Sequence, residues 1–493
     1  MGIIKARPRF ESWGRYPTLQ AEVVPLHWTT DYPLGQSSGT KCLPVGLGRS
    51  YGDVCLLEHG TLLATPGMDR LLGFDASTGV LRCETGVSLQ QILDFAVPRG
   101  FFLPVSPGTK FVTVGGAIAN DIHGKNHHVA GAFGRHVLRF ELVRSDGSRF
   151  VCSPIENAEW FAATIGGMGL TGLMTWAEIR LRPIVSRKID YRGDKFHGID
   201  EFFALSQAAK SEYTVAWIDC VSTGRNFARG IFMQGDHAQI AGPLTKSKEA
   251  KLVFPLDLPE VALNRFSIAA FNTLYFHKQL GQTKIGPVDY EPFFYPLDAV
   301  LRWNRMYGKQ GLLQFQNVIP HASGREGMLE ILKAITKSGL ASFLAVIKFF
   351  GDVLDVVHRR RQRALAQGHD ATRHLLRRKA RVVPQHRHNG DVDVRENIHR
   401  HFQNGQRTQH HQQKRHHGER IGPSQSEADY PHIVSNSPAA RASRGGRDHA
   451  LYPGNPDQKS ALARRRNQSR IFQYPPWFCG MVQQTQKPLY ASC

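Results

Sequence analysis

The first 350 residues alternate between short apolar segments and residues that favour turns. Ser88 and Gln91 form a capping box, and the apolar side chains after them recur at helical spacing until Gly100, which predicts a helix. Runs of β-prone residues stand on both sides of it, separated by Gly, Asp and Ser. We predict strands at 61–65, 71–74, 80–84, 136–144 and 148–152, and a further strand that closes near Pro183.

The spacing of these elements indicates the fold class. Asp146-Gly147 lies between two of the predicted strands and is typical of a tight hairpin turn. A second helix is predicted at 158–164, where it ends at Gly166-Gly167. Pairs of strands with helices between them predict an α+β fold.

The pattern changes near residue 352. Large aliphatic residues become rare, and 13 of the 23 histidines lie after this point. Of the formal net charge of +21, residues 353–493 carry +15, because they hold 25 Lys or Arg against 10 Asp or Glu, and +6 remains for the first 352 residues. Such a composition buries too little apolar area to offset chain entropy, so we expect little stable fold at 353–493.

Three interpretations of this basic His/Arg/Gln-rich tail stay open. A natural tail would bind nucleic acid or anionic lipid. The run HHQQKRHH at 410–417 would bind a metal ion incidentally, although it lacks regular ligand spacing. Translation out of frame near residue 352 would also produce this composition. For the body of the chain, with its charge of +6, we expect no nucleic-acid partner.

Signals for compartment are few. Residues 1–15 lack the pattern of a secretory signal, and no charge-free apolar run approaches the roughly 20 residues that span a bilayer. The seven cysteines contain no C-x-x-C pair, which favours reduced thiols. We therefore expect a cytoplasmic protein, with contact at the inner membrane surface left open.

The segment from Gly46 to Gly52 is the first candidate binding loop. Its three glycines let backbone N–H groups approach a pyrophosphate closely. The spacing G-x-G-x-x-x-G is not a Rossmann fingerprint, and residues 54–65 after it are strand-like rather than helical. A glycine-rich turn without a ligand is the alternative at this stage.

A second candidate loop runs from Ser106 to His128. Gly115-Gly116 precedes small residues that can open a helix, which would supply a second set of backbone donors. The loop then gathers nitrogen donors at His123, Lys125, His127 and His128. A metal site is the alternative, but no carboxylate or cysteine stands at suitable spacing, so we predict none.

Three motifs resemble a known family. V-G-L-G-R-S-Y-G-D (45–53), the segment at 106–128 that ends in H-G-K-N-H-H, and I-G-G-M-G-L-T-G-L (165–173) are similar to the PCMH-type FAD-binding domain of the vanillyl-alcohol oxidase flavoproteins. Within that family they resemble the decaprenylphosphoryl-β-D-ribose 2′-oxidase subgroup. The resemblance runs from about residue 9 to 350, and H-G-K-N-H-H is its most specific part.

The resemblance implies a domain organisation. A two-subdomain FAD-binding domain would occupy 1–185, and an antiparallel-sheet substrate (cap) domain 186–352. Relatives continue with a strand ending in Asp-Phe-Pro and with a Lys-containing segment, and neither is found after residue 352. The substrate domain is therefore expected to be incomplete, FAD to be weakly retained, and turnover to be low or absent.

The resemblance also implies site residues. In many relatives a histidine of this loop is joined covalently to FAD, whereas His123 is expected to leave FAD non-covalent. The catalytic residues would be His123, Lys125, Lys348 and Tyr51, and the substrate residues Trp217, Gln314 and Gln316. Cofactor contacts are implied for Gly46, Leu47, Gly48, Arg49, Ser50, Tyr51, Gly52, Gly108, Thr109, Thr113, Val114, Gly115, Gly116, Asn120, Asp121, Ile122, His123 and Met174.

The implied chemistry is oxidation of a secondary alcohol of a sugar. The resemblance points to the 2′-hydroxyl of a polyprenylphosphoryl pentose, oxidised to the keto form as the first half of an epimerisation in cell-wall polysaccharide biosynthesis. A short-chain reductase would be the partner, and the lipid phosphate makes peripheral membrane contact an expectation. The alternatives are an aldonolactone or polyol oxidase of the D-arabinono-1,4-lactone oxidase type, and a basic nucleic-acid-binding protein acting through its tail.

Overall fold

The computed structural model describes residues 9–32, 41–246, 252–351 and, by their backbone, 477–485. All of them belong to one unit of the chain. The strands are β1 Arg9–Phe10, β2 Leu19–Gln20, β3 Glu22–Pro25, β4 Cys42–Val45, β5 Thr61–Ala64, β6 Leu71–Asp75, β7 Val80–Glu84, β8 Phe101–Phe102, β9 Val137–Val143, β10 Arg149–Cys152, β11 Leu173–Arg180, β12 Arg182–Pro183, β13 Lys188–His197, β14 Tyr213–Ile218, β15 Arg229–His237, β16 Leu252–Val253, β17 Thr283–Asp289, β18 Val300–Leu301, β19 Leu312–Pro320, β20 Ala345–Phe350 and β21 Trp477–Thr485. The helices are α1 Leu89–Ala96, α2 Val114–Ala119, α3 His127–Ala130, α4 Ala158–Thr164, α5 Ile199–Ala208, α6 Arg265–His277, α7 Tyr290–Phe294 and α8 Gly324–Ser338.

The predicted elements of the first half are present. The first half contains a parallel sheet in the order β3-β5-β4 and a five-stranded antiparallel sheet in the order β10-β9-β11-β7-β6. The capping box at Ser88 and Gln91 starts α1, and Gly100 ends the turn after it in the left-handed region, at φ +79°. The α+β class, the α4 helix and the β9–β10 hairpin are confirmed.

The strand-like character expected for residues 54–60 is wrong. These residues form turns, in which the Leu56 N–H donates to the Asp53 carbonyl at 2.9 Å, and the strand begins only at Thr61. Gly48 and Gly52 both have positive φ and turn the chain twice before this point. Residues 54–60 are apolar enough for a strand, but the turns at Gly48 and Gly52 direct the backbone away from an extended course.

The second half is built on a seven-stranded antiparallel sheet in the order β17-β13-β15-β14-β20-β21-β19. One face is covered by α5 and α8, whose apolar residues share a cluster with the sheet. That cluster contains Phe202, Met328 and Leu332 from the helices and Ala216, Phe232 and Ile347 from the strands. The other face contacts the first half of the chain around Tyr213, and it contacts α6 where Trp217 packs with Phe276.

Residues 477–485 form strand β21 between β20 and β19, with Lys348 opposite Cys479 and Gln316 opposite Met481. The expectation of an incomplete substrate domain, with little stable fold at 353–493, stays a prediction. The segment WFCGMVQQT is rich in β-prone residues, and it pairs with two strands that would otherwise be open edges. The remainder of the predicted tail, 353–476 and 486–493, lies outside the described residues.

The hydrophobic core crosses the predicted boundary at residue 185. Phe102, from the first half, packs edge-on against Tyr290 with ring centroids 5.2 Å apart, and its ring centroid lies 5.3 Å from that of Phe294. The division into two domains, and that of the first domain into two subdomains, therefore stay predictions. Among the described residues, no helix is long and apolar enough to cross a membrane.

Candidate active site

The loop 46–52 lies directly against the start of α2. A Cβ at Gly46 would stand 2.3 Å from Thr113 Oγ1, so this position accepts only glycine without movement. Gly48 and Gly52 adopt φ of +63° and +71°, which other residues rarely take. The local sequence therefore folds as a tight loop because three of its seven positions are glycine.

The amide groups of this loop are suited to bind an anion. No acceptor in the described part of the chain pairs with the N–H groups of Gly46, Leu47, Gly48 or Arg49. Unpaired backbone donors of this kind are commonly satisfied by a phosphate group. The loop thus fits a cofactor that carries a pyrophosphate.

The start of α2 differs from the expectation. The Gly115 N–H donates to the Thr85 carbonyl at 2.8 Å, and the Gly116 N–H donates to Thr113 Oγ1 at 3.1 Å. The Val114 N–H is likewise taken by the Val87 carbonyl at 2.8 Å. The predicted second set of free backbone donors is wrong, since the side-chain cap and the neighbouring turn use them.

Arg49 is the cationic residue of the glycine loop, and its side chain is held between two aromatic rings. Its guanidinium lies 3.8 Å from the ring centroid of Trp13 and 5.0 Å from that of Phe111. Burial lowers the pKa of Arg49, and the charge of Asp298 partly opposes this. An arginine stacked between two rings is preorganised for a phosphate.

The loop that carries Gly108 and Thr109 is fixed by Asp298. The two oxygens of this buried carboxylate accept hydrogen bonds from Thr109 Oγ1 and from the Lys110 N–H, each at 2.8 Å. Burial raises the pKa of Asp298, although these hydrogen bonds oppose the shift. A Cβ at Gly108 would meet nothing within 4 Å, so this side of the loop is open to a ligand.

Residues 120–123 are held in place by backbone contacts. Asp121 has φ +43°, and its carboxylate accepts from the Gly134 N–H at 2.9 Å. The Ile122 carbonyl accepts from the Phe133 N–H at 2.8 Å, and His123 pairs with Ala132. The Asn120 amide donates to the Gly116 carbonyl at 2.9 Å, which ties the segment to α2.

Met174 lies in strand β11, which contacts helix α2. It is buried in β11, and its carbonyl accepts from Thr85 Oγ1 at 2.5 Å. Thr85 in turn faces Gly115, where an added Cβ would stand 3.1 Å from the Thr85 Cβ. Met174 is therefore near the predicted cofactor wall but separated from Gly115 by Thr85.

The structure brings three predicted residues together at the second sheet. Lys348 Nζ lies 2.5 Å from His123 Nδ1 and donates to the Gly124 carbonyl at 2.8 Å. Gln316 Nε2 lies 3.0 Å from His123 Nε2. A residue of the H-G-K-N-H-H loop is thus connected to strands β20 and β19 at once.

The donors in these two contacts depend on the tautomer of His123. When a Lys348 ammonium donates to Nδ1, the His123 proton lies on Nε2 and the Gln316 amide accepts it through its oxygen. When the His123 proton lies on Nδ1, Gln316 Nε2 donates to Nε2.

Lys125 lies one step further along the loop. Its Nζ is 3.4 Å from the Phe294 carbonyl and about 6 Å from the rings of Phe293 and Phe294. Burial, with a contribution from the Lys348 charge, lowers the pKa of Lys125 to about 7. Lys125 is therefore the cationic group here whose charge changes near neutral pH.

The other two histidines of the loop have packing roles. His127 is buried and stacks on Phe350, with ring centroids 3.9 Å apart. His128 Nε2 lies 3.4 Å from the Ser211 carbonyl, and burial lowers the pKa of His128. Within the described residues no three His, Cys, Asp or Glu side chains group as metal ligands would.

The remaining predicted residues lie at different distances from this centre. Trp217 stands opposite Val346, so it shares the sheet face of Lys348, but it is buried and its indole N–H donates to the Phe343 carbonyl at 3.1 Å. Gln314 precedes Gln316 by two residues on the same face of β19. Tyr51 packs with the cluster around Trp303 and Leu312, at the beginning of β19.

Comparison with known proteins agrees with this geometry. The family described as "FAD binding domain" matches residues 34–153. The decaprenylphosphoryl-beta-D-ribose oxidase of Mycolicibacterium smegmatis is 34% identical over 363 residues, which cover 70% of this chain and 78% of that protein. The chain belongs to the decaprenylphosphoryl-β-D-ribose oxidase family. As a member of this family it is an FAD-linked oxidoreductase, and its cofactor is FAD.

Other members of the wider flavoprotein group match shorter stretches. The human Delta(24)-sterol reductase is 31% identical over 134 residues, 27% of this chain and 26% of that protein. A putative D-arabinono-1,4-lactone oxidase of Neurospora crassa is 22% identical over 185 residues, 37% of this chain and 33% of that protein.

Some of the residues that shape the site were not predicted from the sequence. Asn126 is fully buried, and its amide donates to the Pro104 carbonyl at 2.9 Å and to Glu212 Oε1 at 3.0 Å. Arg182 pairs with the same carboxylate. The motif contains Asn126, but no local signal indicates that its partner is 86 residues away. Asp298, which fixes the Thr109 loop, is likewise 189 residues from its partner Thr109.

Proposed function

We propose that this chain oxidises the 2′-hydroxyl of a polyprenylphosphoryl pentose to a ketone. The observation that carries the proposal is the contact of His123 with Lys348 and Gln316, which joins the FAD-binding half to the second sheet. The relative from Mycolicibacterium smegmatis is a decaprenylphosphoryl-beta-D-ribose oxidase, which supports a lipid-linked ribose as the substrate.

When bound, FAD supplies the acceptor for the hydride that leaves the carbinol carbon. The Lys348 ammonium, which lies against His123 and Gly124, is proposed to stabilise the alkoxide that develops on the sugar while a general base takes the hydroxyl proton. Gln316 and His123 hold Lys348 in position. Lys125 and Arg49 are proposed to orient phosphate groups, and Tyr51, Gln314 and Trp217 to shape the substrate cavity.

We propose that FAD is bound without a covalent bond. Both ring nitrogens of His123 have protein partners, at 2.5 and 3.0 Å. Neither is available for a bond to the cofactor unless one of these contacts is broken. Acid precipitation of the holoenzyme checks this, since the yellow colour is expected in the supernatant and a yellow pellet would contradict it.

The proposal includes a partner and a place. A 2-keto sugar product is consumed by a reductase, and a short-chain reductase is the proposed partner. Because the substrate is lipid-linked, the chain is proposed to act at the cytoplasmic face of a membrane. The expectation of weak FAD retention and low turnover stays a prediction: β21 joins β20 to β19, but the described residues after Gly351 contain no lysine.

The experiment compares three proteins with FAD in excess. Wild type, Lys348→Met and Lys337→Met are mixed anaerobically with a polyprenylphosphoryl ribose, and loss of oxidised-flavin absorbance is followed. Lys337 is exposed on α8 and serves as the matched control. Lys348→Met is expected to slow flavin reduction about 10²–10³-fold, as loss of one oxyanion donor does, while Lys337→Met reacts like wild type. Equal rates for all three would refute the role of Lys348.

An aldonolactone or polyol oxidase is the second candidate, favoured by the match to the putative D-arabinono-1,4-lactone oxidase. The same assay separates the two functions. Reduction by an aldonolactone, and not by a polyprenylphosphoryl pentose, would establish the second candidate instead of the first.

A further inference from the structure

Helix α6 carries an apolar outer face that nothing in the described part of the chain covers. Phe266 is 84% exposed and Leu274 73% exposed. They are eight residues apart with Ala270 between them, so they lie on one stripe of the helix. Leu280, just beyond the helix, is 97% exposed. Isolated apolar side chains on a surface are ordinary, but an aligned set on one helix indicates a contact surface.

The charged side chains along this segment of the sequence have one sign. From Val261 to Val288 the sequence contains Arg265, Lys278 and Lys284 and no Asp or Glu. The first 352 residues hold 31 acidic side chains, so their absence here is a local feature. Apolar side chains flanked by cations on one helix are typical of elements that lie in the surface of an anionic bilayer.

The helix itself is anchored to the protein. Its opposite face is buried through Ile268, Asn272 and Phe276. The Asn272 amide donates to Asp219 Oδ1 at 2.9 Å and to the Ser342 carbonyl at 3.2 Å. The outer face is therefore presented by a fixed element and not by a frayed end.

A layer of aromatic rings connects this helix with the candidate active site. Phe271 stacks near Tyr275, with ring centroids 6.2 Å apart, and Tyr275 lies 4.7 Å from Trp217. Trp217 stands on the sheet face that also carries Lys348. A lipid chain at the outer face of α6 would thus find apolar rings along the way toward the site.

We propose that the outer face of α6, with Leu280, docks the protein on an anionic phospholipid bilayer. Phe266, Leu274 and Leu280 enter the boundary between headgroups and acyl chains, while Arg265 and Lys278 contact lipid phosphates. The assignment rests on the proposed function in one respect, that a lipid-linked substrate stays in the bilayer while its sugar reaches Lys348. A protein partner and a second copy of this chain are the other occupants that the test distinguishes.

The test is co-sedimentation of the full chain with phosphatidylcholine vesicles that do or do not contain phosphatidylglycerol. The variant Phe266→Ser/Leu274→Ser is compared with Ile155→Ser, which alters an even more exposed apolar residue elsewhere. Because the basic tail would also attract anionic vesicles, binding is measured again in 0.5 M salt (about a 4–5 Å screening length), where electrostatic attraction is weak and apolar insertion persists.

The partition coefficient of the double variant is expected to fall roughly tenfold or more at both salt concentrations. Arg265→Gln/Lys278→Gln is expected to lose roughly fivefold per charge at low salt only.

Two further measurements make the outcome decisive. Melting temperature and FAD content of each variant check the fold, and Phe266→Trp is expected to be quenched by brominated lipid. Equal sedimentation of wild type and the double variant, or no quenching, would overturn the proposal. Association that persists without vesicles, seen as a larger species in gel filtration and lost in the double variant, would assign the face to a second copy.

Flavin reduction by a water-soluble short-chain substrate is expected to stay unchanged in the double variant. Failure of docking therefore remains distinguishable from failure of the proposed function.

Discussion

Replacement of Gly46 by alanine tests how the glycine loop and α2 are fitted together. The added methyl group would stand 2.3 Å from Thr113 Oγ1 and 3.0 Å from its Cγ2. Thr113 is buried and caps α2 by accepting from the Gly116 N–H. The substitution therefore forces either the loop or the cap to move.

The magnitude follows from these two contacts. Loss of a threonine cap costs about 1 kcal/mol, and an extra methyl group in a packed site costs about 1–3 kcal/mol. Gly46→Ala is thus expected to lower the free energy of unfolding of the apoprotein by about 2–4 kcal/mol. Displacement of the loop amides should also weaken FAD binding by roughly tenfold or more, which corresponds to about 1.4 kcal/mol.

Urea denaturation of the apoprotein and calorimetric titration with FAD measure the two effects. Gly108→Ala is the matched control, because its Cβ meets nothing within 4 Å: it should leave the unfolding free energy unchanged and weaken only FAD binding. In the double variant Gly46→Ala/Thr113→Ala, the Thr113 hydroxyl and methyl groups no longer obstruct the methyl group added at position 46. The loss of unfolding free energy should therefore be smaller than the sum of the losses in the two single variants. A Gly46→Ala protein that unfolds and binds FAD like wild type would refute this account of the loop.

Further predictions concern buried polar groups and the cofactor. Asp298→Ala should destabilise the apoprotein by about 2–3 kcal/mol in urea, since it leaves Thr109 Oγ1 and the Lys110 N–H without their acceptor, and Asp298→Asn should fall between it and wild type; equal stability of all three would contradict this. The pKa of Lys125 is about 7 in the folded protein against an ordinary 10.5, so the unfolded chain binds the additional proton between these values and stability should rise with pH across that window. Lys125→Met should remove this slope, and an unchanged slope would exclude Lys125 as its source. Burial lowers the pKa of His237 to about 4 from 6.5, so stability should fall as the pH falls through that range, and His237→Phe should reduce the loss in acid denaturation. Finally, the purified chain should lose its yellow colour in gel filtration, and full retention would show that the Lys-containing segment of relatives is dispensable.

Local signals predicted the elements whose causes are local. The capping box at Ser88, the turn at Asp146-Gly147 and the stop at Gly166-Gly167 act within a few residues, and α1, the β9–β10 hairpin and α4 follow them. Residues 54–60 show the limit of such reasoning. Their apolar composition suits a strand, but the turn geometry set by Gly52 prevails.

The site depended on contacts between distant segments. The resemblance named His123, Lys348 and Gln316 singly, but their meeting requires the FAD-binding loop to lie against the second sheet, where His123 contacts residues 193 and 225 positions later in the chain. The N–H groups at Gly115 and Gly116 were assigned to a ligand, whereas Thr85 and Thr113 accept them. No residue near these glycines in the sequence indicates that Thr85 would be close.

Strand β21 shows why the average composition of a region does not describe each short segment in it. The average character of residues 353–493 predicts little fold, and this stays a prediction for the region, but the nine residues 477–485 differ from that average and lie between two strands. A short β-prone segment inside a polar, basic region gains its stability from the two neighbours with which it pairs, and these are more than 120 residues earlier in the chain.

Anaerobic reduction of the bound FAD tests the central claim most directly. The chain is reconstituted with FAD and mixed with a polyprenylphosphoryl ribose, and the flavin spectrum and the sugar product are recorded together. The account predicts loss of the oxidised-flavin absorbance with formation of one equivalent of 2-keto sugar, and a reaction about 10²–10³-fold slower in Lys348→Met. A fully loaded protein whose flavin stays oxidised with this substrate, or a Lys348→Met variant that reacts at the wild-type rate, would contradict it.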